Sequence, residues 1–212
     1  MFDQIIETNG KKVSIQITNK GKVILKKPKK YKKELLDKFI ESKQKWIEEN
    51  KQKILQNLQQ NHNIINGLTI LINGREVPLI MGAKLNKIEE DFVEVKSNKA
   101  LVTMLKKYAL EKITEKGMIL ANKIGVNPAG FSIENTRTRW GACSSKKQIK
   151  INFRVIMLEE KYLNYILIHE LTHLKEFNHS SKFWDIVKKH EPKYSEYKKQ
   201  LKNYSFLLEL YR

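Results

Sequence analysis

The chain has 212 residues, 41% of them hydrophobic and 30% charged, and its 41 Lys and Arg against 23 Asp and Glu leave a formal net charge of +18. That length allows one large domain or two small ones, with enough apolar residues for a core. A single cysteine, Cys143, excludes a disulfide-stapled scaffold and fits a reducing cytoplasm, and no run of ~18 apolar residues predicts a membrane span.

The start, "MFDQIIETNGKK", lacks the basic and apolar regions of a signal peptide, so a cytoplasmic protein with no membrane partner is expected. In "KKVSIQITNKGKVILKKP", Val13, Ile15 and Ile17 share one face of a predicted strand. Asn19-Lys20-Gly21 can turn, and Val23 and Leu25 continue on a return strand that Pro28 ends. Lysines then crowd positions 26–33 without one acid. Leu35, Leu36, Phe39, Ile40, Trp46, Ile47, Ile54 and Leu58 recur at helical spacings, and the polar run "QNLQQNHN" reads as a closing loop.

"GLTILINGREVPLI" is a second hairpin signal, with Asn73-Gly74 as a type I′ turn; Pro78 suggests that its second arm lies at a sheet edge. "FVEV", Phe92 to Val95, adds a strand. From Lys99 to Ile124 the pattern is helical, and Gly125 with Pro128 ends it. "FSIENTRTRWGACSSKKQIKINFRVIML" reads as two strands around a Ser-Ser-Lys-Lys turn. A helix follows from about Glu159 to Glu176, another begins near Ser180 or Ser181 and ends by Pro192, and a polar helix runs on to about Tyr204.

The third of these predicted helices, from about Glu159 to Glu176, carries the chemistry. His169 and His173 are four apart, so both imidazoles lie on one helix face and can reach one cation. Glu170 is about 100° around the helix from His169, beside the metal, where it can act as a general base on water. This is the HExxH arrangement. A catalytic zinc keeps about three protein ligands, and His179, ten residues after His169, is the best third candidate, with Glu176 as the fallback. The histidine spacing matches HExxHxxGxxH, except that Glu176 stands at the glycine position, so a different turn at Phe177-Asn178 must bring His179 round. Leu163, Ile166, Leu167, Leu171 and Leu174 make the rest of the helix apolar, which argues against a merely exposed histidine pair. His62 and His190 receive no function.

The second informative stretch is "ENTRTRWGACSS". Arg137 and Arg139 alternate on one face, and Gly141 lets another backbone approach closely. Arg137, Arg139, Trp140 and Gly141 are therefore candidate substrate-binding residues. The competing reading makes Trp140 core and Gly141 a bulge. Cys143 reads as a small buried hydrophobe.

With "TRTRWGACSS" and "INFRVIMLEEKYLNYILIHELTHLKEFNHSSKFWDIVKK" in this order, the chain resembles the YgjP-like metallopeptidase family, which is related to the SprT and WLM zinc peptidases. "GKVILKKPKK" and "INGREVPL" resemble that family's N-terminal region. The resemblance implies zinc, or another divalent metal, on His169, His173 and His179, with Glu170 catalytic. The family's Trp-Gly-Ser-Cys is Trp-Gly-Ala-Cys here, so a hydroxyl is missing at Ala142.

The expected fold class is α+β: a β-hairpin-rich unit with one long helix over residues 1–96, then a zincin-like catalytic domain over residues 97–212. The first functional expectation is a zinc-dependent peptidase acting on polypeptide. The second is a metal-dependent hydrolase of a nucleoside triphosphate, motivated by the +18 charge and the two arginines. The third is a nucleic-acid-associated protein with structural zinc, although structural zinc normally takes four ligands, often cysteines. The same charge also fits a plain solvated lysine-rich surface.

Overall fold

A computed structural model describes residues 2–211. The chain divides into two compact units, Met1–His62 and Asn63–Arg212. The expected division at 96/97 falls inside the second unit. The reason is the Asn73-Gly74 hairpin tip: Asn73 N–H donates to the Ile156 carbonyl at 2.7 Å and Gly74 N–H to the Met157 carbonyl at 3.1 Å. Both turn residues have positive φ (51° and 81°), as a type I′ turn requires, and a side chain at 74 would strike Glu159. The fold class is α+β.

The first unit is a three-stranded sheet with one helix. β1 (Gln4–Thr8), β2 (Ser14–Ile17) and β3 (Val23–Pro28) lie in the order β1-β3-β2. β2 and β3 form the expected antiparallel hairpin; β1, unforeseen in the sequence, pairs parallel to β3. Helix α1 (Lys33–Gln60) runs through most of the segment expected to be a loop. Its glutamines and leucines are good helix formers, and nothing in "QNLQQ" breaks a helix. Val23, Leu25 and Ile47 are the buried apolar residues here.

A one-turn helix, α2 (His62–Ile65), precedes the sheet of β4 (Thr69–Ile72), β5 (Arg75–Met81), β6 (Lys87–Ile88) and β7 (Val93–Val95), in the order β4-β5-β7-β6. β5 is interior, not the edge that Pro78 suggested. Its first half pairs with β4 and its second half, from Leu79, pairs with β7. Pro78 is paired only on its β4 side, so its missing N–H breaks no ladder.

Helix α3 (Asn98–Ile124) is N-capped by Ser97, whose Oγ accepts from Ala100 N–H at 3.2 Å, and ends at Gly125. It buries Leu101, Leu105, Ala109, Ile113, Gly117 and Ala121, one every four residues, and so presents a narrow ridge against the next helix and sheet. The segment expected to form two strands forms three: β8 (Gly130–Glu134), β9 (Gly141–Cys143) and β10 (Gln148–Asn152), in the order β8-β10-β9. The Ser-Ser-Lys-Lys turn does join β9 to β10. "FRVIM" is a buried 3-10 turn (Phe153–Met157), not strand. A short apolar run carries no period that separates these alternatives.

Helix α4 (Glu160–Thr172) is buried nearly all round, between α3 and the β8-β10-β9 sheet. It ends at Thr172, earlier than Glu176. α5 (Ser181–His190) is capped by Ser180, whose Oγ accepts from Phe183 N–H. α6 (Tyr194–Gln200) is shorter than expected and passes into a 3-10 turn (Leu201–Glu209) that buries Leu201, Phe206, Leu207 and Leu208. No helix among the described residues is long and apolar enough to cross a membrane.

Candidate metal centre

His169 sits in the last turn of α4, and His173 is its C-terminal cap residue. Beyond it the chain reverses through Leu174 N–H to the Leu171 carbonyl and both Lys175 and Glu176 N–H to the Thr172 carbonyl. No residue from 173 to 179 takes a positive φ, so Glu176 is accommodated where a glycine stood in the HExxHxxGxxH pattern. Lys175 Nζ ties the turn to the Ile124 carbonyl at 2.5 Å. His179 returns against α4, and its Nε2 lies 3.1 Å from His169 Nε2.

One nitrogen from each of His169, His173 and His179 lies within 4.8 Å of the others. Zn–N bonds of ~2.0–2.1 Å at a tetrahedral angle separate two ligand nitrogens by roughly 3.3 Å, so this cluster fits such an ion. His173 Nδ1 faces the Glu176 carbonyl at 3.2 Å; donating there leaves its Nε2 for a cation. Burial, reinforced by the neighbouring His173 and His179 and by Lys198, pushes His169 down to about 3, so it stays a neutral ligand. Phe183, fully buried, has its ring 4.7–5.0 Å from all three imidazoles. The cluster thus has an apolar backing and an exposed rim at His179.

Glu170 is 7% exposed and lies on the floor of a cleft of about 390 Å³. Burial, with Glu134 adding to it, lifts its carboxyl to about 8 against the opposing pull of Arg139. Gly141 decides how close β9 can come: a Cβ there would meet Glu170 Cγ at 2.8 Å and Oε1 at 2.9 Å. Gly141 is therefore a close-approach glycine, and Trp140 beside it is half-buried in the same cleft wall.

Thr138, Arg139, Trp140 and Gly141 line one side of the cleft; Arg137 does not. Residues 135–140 are irregular, not strand, so the alternation that paired Arg137 with Arg139 does not exist. Asn152 and Arg154 hold this loop. Asn152 Nδ2 donates to the Thr136 carbonyl at 2.7 Å, and Arg154 Nη1 donates to Asn135 Oδ1 at 2.7 Å. Arg139 itself is paired bidentately with Glu134, at 3.1 Å for both contacts. Cys143 is half-buried, and neither it nor His190 belongs to the histidine cluster; His62 lies in the first unit.

A model described as the YgjP-like metallopeptidase domain matches residues 11–204. The chain belongs to the YgjP-like metallopeptidase family. No curated protein and no solved structure matches it. As a member of this family it is a metallopeptidase in general type, and membership implies a metal ion. The three-histidine cluster lies within the matched residues.

Several residues around the cleft carry no sequence signal of their own. Tyr165, one turn before His169, lines the floor with its phenol pushed up to about 12 by burial and by Glu170. Lys198, Lys202 and Ser205 come from the C-terminal segment. Phe183 and Val187, an i, i+4 apolar pair, are the buried residues of α5 and escaped the sequence reading; their spacing is the one signal that could have found them, and it says nothing of the Phe183 ring's place against three histidines.

Proposed function

We propose that this YgjP-like chain is a zinc-dependent peptidase in which His169, His173 and His179 hold the ion and Glu170 is the general base. The observation that carries this reading is the convergence of three imidazoles, one of which, His169, lines the same cleft as the buried Glu170 carboxylate. When bound, zinc supplies a Lewis acid that polarises the scissile carbonyl and acidifies water.

The chain's own residues do the rest. Glu170 takes the proton of the attacking water and returns it to the leaving amine; a carboxylate held in an apolar site is a stronger base than an exposed one. β9 is an edge strand, and its Gly141 lines the cleft. An extended polypeptide added along that edge passes close to Glu170. Gly141 leaves room for the carboxylate, and the Arg139–Glu134 pair keeps the loop before it in place.

The test is cleavage of an unfolded protein such as casein by zinc-loaded wild type and Glu170→Gln. Loss of cleavage with zinc stoichiometry unchanged supports the assignment. Undiminished cleavage by Glu170→Gln overturns it.

A second reading, hydrolysis of a nucleoside triphosphate, draws on Lys198 and Lys202 in the same cleft. It is the weaker one, because Arg137 is outside the lining and Arg139 is already engaged by Glu134. Phosphate or pyrophosphate release from a nucleotide panel distinguishes the two. A purely structural zinc in a nucleic-acid-associated protein is weaker still: the cluster among the described residues has three ligands, not four.

A further inference from the structure

The cleft has two unlike walls. One is the loop from Thr138 to Gly141. The other comes from α6 and the following 3-10 turn and carries Lys198, Leu201, Lys202, Ser205 and Leu208. Lys198 and Lys202 are four residues apart, and both are exposed. Neither belongs to any ion pair among the described residues, whereas Arg139 across the cleft is neutralised by Glu134. The carboxylate that lines the cleft is Glu170, on the floor. Lys198 is also located: its ammonium lies 4.2 Å from the centre of the Trp184 ring.

We infer that Lys198 and Lys202 form an anion subsite that seats a carboxylate of the substrate polypeptide next to the scissile bond. This rests on the peptidase reading above. The carboxylate can come from an Asp or Glu side chain or from the chain's C-terminus; the chemistry at the two ammonium groups is the same.

A phosphate fits this wall less well. Phosphate sites draw on bidentate arginine or on N–H groups at a helix start. Here the arginine is occupied, and the first turn of α6 does not line the cleft. Two point-charge lysines flanked by Leu201 and Leu208 suit a single carboxylate on an aliphatic stem.

The experiment uses full-length zinc-loaded protein and internally quenched decapeptides that differ only by Glu or Gln at central positions, each with a free or amidated C-terminus. Binding of the same labelled peptides to zinc-loaded Glu170→Gln is measured in parallel by anisotropy, so a failed peptidase assay does not remove the binding result. The variants are Lys198→Ala/Lys202→Ala, Lys198→Arg/Lys202→Arg, and Lys29→Ala/Lys30→Ala as a control for lost charge at exposed lysines elsewhere.

Wild type should favour the Glu peptide, or the free C-terminus, on the order of 10-fold. The alanine pair should abolish that preference, while the arginine pair and the charge control keep it. Loss on Glu→Gln assigns the carboxylate to a side chain; loss on amidation assigns it to the C-terminus. Equal binding of all peptides by wild type overturns the inference. So does an equal loss in the charge control, or displacement by ATP without any carboxylate preference. Cleavage that depends on Glu170 but ignores peptide charge leaves the peptidase reading standing and removes the subsite alone.

Discussion

The His179 ring stacks on the Trp184 indole, with centroids 5.6 Å apart and planes 22° from parallel. Trp184 stacks in turn on Tyr194, at 5.2 Å and 19°. His179 is the exposed member of the triad and lies outside any regular element, so its orientation depends on this stack as well as on the chain reversal before it. Trp184→Leu should weaken zinc affinity on the order of 10-fold, while Trp184→Phe keeps most of it. Chelator competition on the purified variants measures this. An affinity unchanged in Trp184→Leu but lost in His179→Ala removes the stack from the site without removing His179.

Gly141→Ala should cost activity rather than metal. The added Cβ meets Glu170 Cγ, Glu170 Oε1 and Ile151 Cδ1, all within 3.0 Å. Ile151 is fully buried and Glu170 nearly so, so β9 or the carboxylate must move. A displacement near ~1 Å at a catalytic base lowers kcat/KM by roughly 100-fold. Zinc stoichiometry stays as in wild type, and peptide kinetics beside metal analysis check both halves.

The metal-free protein should be most stable between about pH 4.5 and 6.5. Below that window His169 governs. Its folded-state value of about 3 lies under the ordinary imidazole value of ~6.5, so stability is lost as pH falls. Above the window Glu170 governs. Its folded-state value of about 8 lies over 4.5, so stability is lost as pH rises toward 8. Inside the window the two slopes, each up to ~1.4 kcal/mol per pH unit, oppose one another. Calorimetry in the presence of chelator should show the alkaline limb vanish in Glu170→Gln. An identical alkaline limb in that variant contradicts the assignment.

Arg154→Met should loosen the cleft wall and lower stability. Arg154 is 1% exposed; it donates to the Leu210 carbonyl, to the Tyr211 carbonyl at 3.0 Å and to Asn135 Oδ1 at 2.7 Å, and its guanidinium lies over the Phe153 ring. Losing these charge-assisted bonds costs on the order of 3 kcal/mol, seen as a lower Tm. A raised KM with a smaller change in kcat is expected under the proposed peptidase reading, because the loop that Arg154 holds carries Thr138, Arg139 and Trp140 into the cleft wall and not into the histidine cluster.

Much of the fold was legible in local pattern. The hairpin at Asn73-Gly74, the long helix α3 with its Gly125 end, and the β9–β10 turn rest on neighbouring residues, which a sequence displays directly. The misread segments were of another kind. "FRVIM" and "QNLQQ" are short runs without a deciding period, and Pro78 is allowed inside a sheet because β5 changes partners at that residue.

The relative placement of His169, Glu170 and His173 was legible in the sequence alone, because a helix fixes the relative direction of side chains one and four residues apart. His179 could be nominated but not placed. Only the tertiary structure decided that its turn closes without a left-handed residue, that Gly141 abuts Glu170, that Arg139 belongs to Glu134 while Arg137 lies outside the cleft, and that Lys198 and Lys202 form the opposite wall. These relations join residues far apart in the chain, and they arise from how the helices and sheet pack rather than from the spacing of residues along any one element.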